Sequence, residues 1–159
     1  QFAFEHKLHL ENHRDQLKET VIWNTESGLK LLATEIAEAE YKKSMLHKRI
    51  MEFMDEYDFM VCPVTSVWPF SIEQEYISEI NGVSLNNYIE WMAPCYAITV
   101  TGLPAISVPA GFSEDGLPLG LQIVGKYRDD FHVLQIANAF EKATEFNRVR
   151  PKLSLSDSS

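Results

Sequence analysis

The chain has 159 residues, with 14 Lys and Arg against 23 Asp and Glu, so its net charge is −9 at pH 7 with histidine neutral. A composition of 45% hydrophobic and 23% charged residues is that of a globular chain and excludes disordered, collagenous or disulfide-dense classes. The acidic balance, with no Lys/Arg cluster, excludes nucleic acid and anionic membranes as expected partners, because phosphates and anionic headgroups need a basic face.

The sequence opens on Gln1 with Phe2-Ala3-Phe4 in mid-pattern and no N-cap, so a longer parent polypeptide is expected. From Phe4 to about Leu17, Leu8, Leu10 and Leu17 stand among polar residues, which predicts a weakly amphipathic, largely solvated helix. Val21-Ile22-Trp23-Asn24 leads to Gly28, read as a break. Thr34 is the expected N-cap of a long helix reaching about Asp55, with Glu35 in its first turn. Ile36, Ala39, Lys43, Leu46, Ile50, Phe53 and Met54 recur at intervals of three and four along its expected inner stripe.

Asp58 to Pro63 is a short apolar run stopped by proline, which predicts a fully buried strand. Pro63 to Ile80 lacks periodicity and is expected to be a long loop carrying aromatic residues, of the kind that hosts function. Asn81-Gly82 marks a turn, and Leu85 to about Val100 is helical in period. Gly102-Leu103-Pro104 turns into a buried strand at Ala105–Pro109, apolar on both faces and expected to want neighbours on both sides. Gly111 to Pro118, with Asp115-Gly116, makes a hairpin-type connection to a second strand at Leu119–Gly125. On that strand Gly120 and Gln122 share a face, which points to close backbone approach and a buried hydrogen bond. Phe131 to Phe146 is a helix, with Asp129 or Asp130 as its cap, and 154–159 is a polar tail.

Thr101-Gly102-Leu103-Pro104-Ala105-Ile106-Ser107-Val108-Pro109-Ala110-Gly111-Phe112, followed by Asp115-Gly116-Leu117-Pro118-Leu119-Gly120-Leu121-Gln122-Ile123-Val124-Gly125, resembles the C-terminal part of the amidase-signature enzymes. Tyr57 to Thr65 is similar to the strand and proline loop that precede this block in the family, and Ile136 to Glu141 to its closing helix. The resemblance covers about residues 20–150 and implies an α/β fold, part of a mixed β-sheet flanked by helices. Residues 1–153 are then expected to be the C-terminal segment of one such domain, incomplete by itself, with an exposed apolar sheet face.

The activity implied is hydrolysis or transfer at a carboxylic amide: a serine nucleophile, a second serine that relays protons, and a lysine base, with backbone N–H groups stabilising the oxyanion. The paired serines flanked by glycines and the preceding lysine are absent here, the sole Ser-Ser pair being Ser158-Ser159. No catalytic residue is therefore assigned to this chain, and its expected partners are the N-terminal remainder of the same polypeptide and a small amide substrate. The alternatives are a truncated, non-catalytic binding module and a subunit of a glutamine-dependent amidotransferase.

Thr65, Trp68 and Phe70 follow the first strand, where open α/β sheets place ligands. They are candidates for a substrate-pocket wall or for an aromatic anchor that holds the loop. Trp91 and Cys95 face the choice between pocket and core. Asp129 matches a position where glutamine-handling relatives place an acid toward a substrate amino group, and equally suits a helix cap. His6, His9 and His13, spaced by three and four, share one face if helical, as a metal site requires; a solvated polar face is the other reading. No metal or cofactor is assigned. Cys62 and Cys95 have no C-x-x-C spacing, no thiol nucleophile is expected at Cys95, and a reducing, cytoplasmic setting is expected. No apolar run approaches the ~20 residues that cross a bilayer.

Overall fold

The computed structural model describes residues 1–149, so the tail expected at 154–159 lies outside the described residues. Two compact units divide the chain, Gln1–Leu46 and His47–Ser159. The first contains α1 (Phe2–Asn12), a 3-10 turn at Arg14–Gln16, α2 (Glu19–Leu29) and the start of α3 (Ala33–Glu56). α1 buries none of its residues, as its polar composition requires. The break expected at Gly28 before the long helix falls at 30–32, and Gly28 itself is the penultimate residue of α2, where a Cβ would stand 2.6 Å from Cβ of Ala3, so it permits the close approach of α1 and α2. Thr34 is not the cap of α3. The helix starts one residue earlier, and Glu35 Oε2 accepts a hydrogen bond from the backbone N–H of Leu32 at 2.7 Å, half of a capping box.

The second unit is built on a three-stranded antiparallel sheet of order β1 (Met60–Pro63), β5 (Pro118–Val124), β4 (Ala105–Phe112). The expected α/β class is what the chain has. α5 (Asp130–Thr144) lays Val133 and Ala137 inward, and Ala137 closes a cluster with Val108 and Ile123 on one face of the sheet. On the other face Val124 packs with Met54 of α3 and Leu103, flanked by Ile50, Met51, Met60 and Ile98. The inner stripe of α3 is therefore Ile50, Met51 and Met54, whereas Ile36 and Phe53, expected inside, are exposed.

Neither β1 nor β4 is buried on both faces. In β1, Met60 and Cys62 are half-buried while Val61 and Pro63 are exposed. In β4, Ala105, Ser107 and Pro109 form an exposed row between Ile106, Val108 and Ala110. Each pairs with β5 alone in the sheet of the described residues, which makes both edge strands with one covered face. An edge also explains why β4 passes through Pro109, which sequence reading takes as its end. The register shifts between Pro109 and Gly111, a bulge at which Gly111 adopts φ +129°.

Between β1 and the small hairpin β2 (Glu79–Ile80) and β3 (Val83–Ser84) the chain is irregular, as expected. Asn81 and Gly82 both have positive φ, 51° and 79°, the backbone of a tight two-residue hairpin turn. The helix expected from Leu85 is shorter. A 3-10 turn at Glu90–Met92 precedes α4 (Ala93–Thr101), and Pro94 sits in its first turn. Proline is at home there and would break a helix that ran through it, which the apolar spacing concealed.

Candidate functional site

A cleft of about 630 Å³ opens over the part of the sheet that α3 and α4 leave uncovered. Its floor is Ser107 of β4 with Pro118, Leu119 and Gly120 of β5, and its wall is the run 63–70 with Trp91. The loop is in place because of its two ends. At one end Val64 lies over Gly120, where a Cβ would meet Val64 Cγ2 and Ser107 Oγ at 3.0 Å each, so only glycine leaves the floor open. At the other end Phe70 meets Trp91 edge to face, ring centroids 5.5 Å apart at 88°, an arrangement that suits the ring quadrupoles.

Thr65, Trp68, Phe70 and Trp91 thus meet around one cavity. Trp68 is 64% exposed. Thr65 Oγ1 donates to the Val67 carbonyl at 2.9 Å and shapes the loop from within. Cys95 does not line the cleft; its thiol donates to the Val64 carbonyl at 3.0 Å from α4. Asp129 is not among the lining residues either. It occupies the cap position of α5 without capping through its side chain, and Oδ1 accepts instead from Nδ1 of His132. Ser107 is the lining residue that sequence reasoning missed. The available signal was a hydroxyl in an apolar strand, in register with Gln122 of β5. Gln122, expected to make a buried hydrogen bond, makes a half-buried one, Nε2 donating to the Cys62 sulfur at 3.4 Å.

The three histidines do not share a helical face. His13 follows the end of α1 with φ −142°, while His6 stacks on Phe2 and donates from Nδ1 to the Phe2 carbonyl. His47 donates to the Thr101 carbonyl at 2.9 Å and meets Tyr127 edge-on. Among the described residues no group of three His, Cys, Asp or Glu is placed to hold a metal, and no helix is long and apolar enough to cross a membrane.

No Asp, Glu, His, Lys or Arg lines the cleft among the described residues. Its lining is apolar and aromatic with three hydroxyls, Thr65, Ser66 and Ser107, which suits a neutral, largely apolar group with a hydrogen-bonding edge. The nearest structured charge along the chain is Glu90, next to Trp91. Its carboxylate accepts from the Asn86 backbone N–H at 2.8 Å and from the Asn86 and Asn87 side-chain amides at 3.1 Å. The backbone bond above all, then the amides, hold its pKa below the ordinary carboxylate value. A lowered folded-state pKa means that this contribution is complete above the unfolded carboxylate value and is lost as pH falls through the folded one. Acidification is therefore expected to loosen the turn that carries Trp91, shifting its emission, and Glu90→Gln should produce that shift already at neutral pH. Emission of the variant identical to wild type at both pH values would remove Glu90 from this role.

A family model described as Amidase matches residues 4–134. A putative amidase of Synechocystis sp. is 38% identical over 107 residues, which cover 67% of this chain and 21% of that protein. A glutamyl-tRNA(Gln) amidotransferase subunit of Thermodesulfovibrio yellowstonii is 34% identical over 128 residues, covering 73% of this chain and 24% of that protein. The chain thus spans about a quarter of the length of such relatives. Among solved structures, a bacterial aryl acylamidase of the amidase-signature family superposes with a TM-score of 0.79 at 23% identity, over 94% of this chain and 34% of the acylamidase. A 6-aminohexanoate cyclic dimer hydrolase gives 0.79 at 21% identity, over 95% and 34%. At these identities the two structures establish the fold only. The family match takes in most of the described residues, and the chain belongs to the amidase family, the amidase-signature enzymes.

Proposed function

We propose that this chain is the C-terminal part of an amidase that hydrolyses a carboxylic amide to the acid and ammonia or an amine. In this reading the Ser-Ser-Lys centre lies in an N-terminal part of the same polypeptide, acting in the cytoplasm, and no cofactor is needed. The observation that carries the reading is the cleft: an aromatic wall and a hydroxyl-bearing floor, without an acid, base or charged nucleophile among its described lining residues. Such a surface holds the acyl or amine side of a substrate while the chemistry is supplied from elsewhere. Thr65, Trp68, Phe70 and Trp91 are its pocket residues, and the substrate is a small apolar or aromatic amide.

The test is amide hydrolysis by the polypeptide as the cell makes it, comparing an anilide with a small aliphatic amide. Trp68→Ala should cut the preference for the bulky substrate about tenfold, since one lost aromatic contact is worth roughly 1.4 kcal/mol. An unchanged ratio would take Trp68 out of the pocket. An antibody against this chain should detect a native band far larger than the chain itself; a band of the chain's own size, with ligand binding and no hydrolysis, would favour a non-catalytic binding module. The 34% identity to a component of an amidotransferase favours a second reading, a glutamine-dependent amidotransferase subunit. That reading needs an acidic contact to the glutamine amino group at Asp129, which is paired with His132 and absent from the cleft lining. Release of glutamate from glutamine, together with co-purifying companion subunits, would support it over the first.

A further inference from the structure

The aromatic wall is a loop, and a loop holds an aromatic side chain at a fixed place only if its backbone is pinned. Both pins come from one stretch of chain. Trp91 takes the ring of Phe70 at the far end, and Cys95, four residues on, donates its thiol to the Val64 carbonyl at the near end. Val64 is held from a second side, because its Cγ2 stands where a Cβ of residue 120 would come within 3.0 Å. Trp68 lies between the pins, itself largely exposed.

We propose that Cys95 is a positioning residue for substrate recognition: acting through Val64 against Gly120, it sets where the Trp68 wall stands and so the width of the cleft for the bulky end of the ligand. The thiol is neither nucleophile nor contact. It is a weak donor, and its bond keeps the carbonyl of a half-buried residue satisfied in the one backbone orientation that directs the loop over the floor. The part concerning ligand width rests on the cleft being the amide pocket; the part concerning Trp68 does not.

The experiment uses the polypeptide as the cell makes it, labelled with fluorotryptophan, so that Trp23, Trp68 and Trp91 each give a fluorine resonance, with that of Trp68 assigned by Trp68→Phe. Cys95→Ala is expected to move the Trp68 resonance and leave that of Trp23 in place. Cys95→Ser, which keeps a donor at the same atom, should return it to the wild-type position. Gly120→Ala presses Val64 from the opposite side and should move the same resonance, so the proposal stays testable if Cys95→Ala does not fold. A Trp68 resonance unmoved by Cys95→Ala, or moved as far by serine as by alanine, overturns it. Benzamide and acetamide serve as bulky and small probes of binding: Cys95→Ala should weaken benzamide about fivefold relative to acetamide, and Cys95→Ser should restore the ratio. Wild-type protein that binds neither amide, with the fluorine signature intact, would overturn the amide-pocket reading and uphold the pinning of Trp68 by Cys95.

Discussion

Met54→Ala should lower the stability of the folded chain by about 3 kcal/mol, the middle of the range for emptying a buried methionine site. Met54 is 1% exposed and sits between Leu103 and Val124, the latter fully buried at the end of β5. It is the side chain through which the last turns of α3 grip the sheet, with Ile50, Met51, Met60 and Ile98 around it. Removing three heavy atoms there leaves a void that stiff neighbours on a strand and a helix do not refill. Met54→Leu, which keeps the volume, should cost under about 1.5 kcal/mol. Phe53, one residue earlier and 43% exposed, should tolerate alanine with a loss of about 1 kcal/mol or less. Urea midpoints at constant slope give the comparison. Equal losses at positions 53 and 54 would mean that the inner face of α3 is misassigned.

That pair shows what periodicity can and cannot settle. The spacing of Ile36, Leu46, Ile50, Phe53 and Met54 announces a helix and an apolar side, but a stripe drawn from identities alone is too wide. Which residue of an adjacent pair turns inward depends on the partner surface, here the end of β5 and Leu103. The β4–β5 hairpin and the turn that leads into it were legible because Gly116 and Gly102 take positive φ, 77° and 73°, whatever surrounds them. The errors lie where a residue has two uses. Pro94 disappears among apolar residues at helical spacing and in fact opens α4. Pro109 reads as a stop and is carried on an edge strand beside a bulge.

The candidate site divides in the same way. Thr65, Trp68 and Phe70 were accessible to sequence reasoning as wall or anchor because they stand on a long loop after a strand, and Trp91 as a choice between pocket and core. Their meeting depends on tertiary contacts that no local pattern encodes, such as Phe70 against Trp91 and Val64 over Gly120. Cys95 is one step removed, and among the described residues Asp129 has no contact with the cleft lining. Cys95 acts on the cleft through a carbonyl, and Asp129 is engaged by a histidine one helical turn away. Ser107 went unseen because a serine inside an apolar strand reads as filler until the neighbouring strand supplies the glycine beside it.

Gly125→Ala should destabilise the protein by about 2 to 3 kcal/mol, the upper part of the range for overpacking a filled site. Gly125 is buried at the end of β5, and its N–H donates to the Pro104 carbonyl at 2.9 Å, which ties that end to the approach to β4. A Cβ there would stand 2.3 Å from Cγ2 of Val133, with the Asp129 carbonyl at 3.7 Å and the Phe59 ring at 3.8 Å beyond it. Val133 has little room to yield, because a β-branched side chain on a helix has one strongly preferred rotamer. Its own N–H also bonds the Asp129 carbonyl at 3.3 Å, so moving Val133 moves the first turn of α5. The backbone bond to Pro104 opposes the other escape, a retreat of Gly125 itself. If the clash with Val133 is the cause, the two positions are coupled, and Gly125→Ala should cost at least about 1 kcal/mol less when Val133 is already alanine. A double-mutant cycle by urea unfolding measures this. Additive losses would show that the penalty arises in the backbone of the β5–α5 connection and not in the contact with Val133.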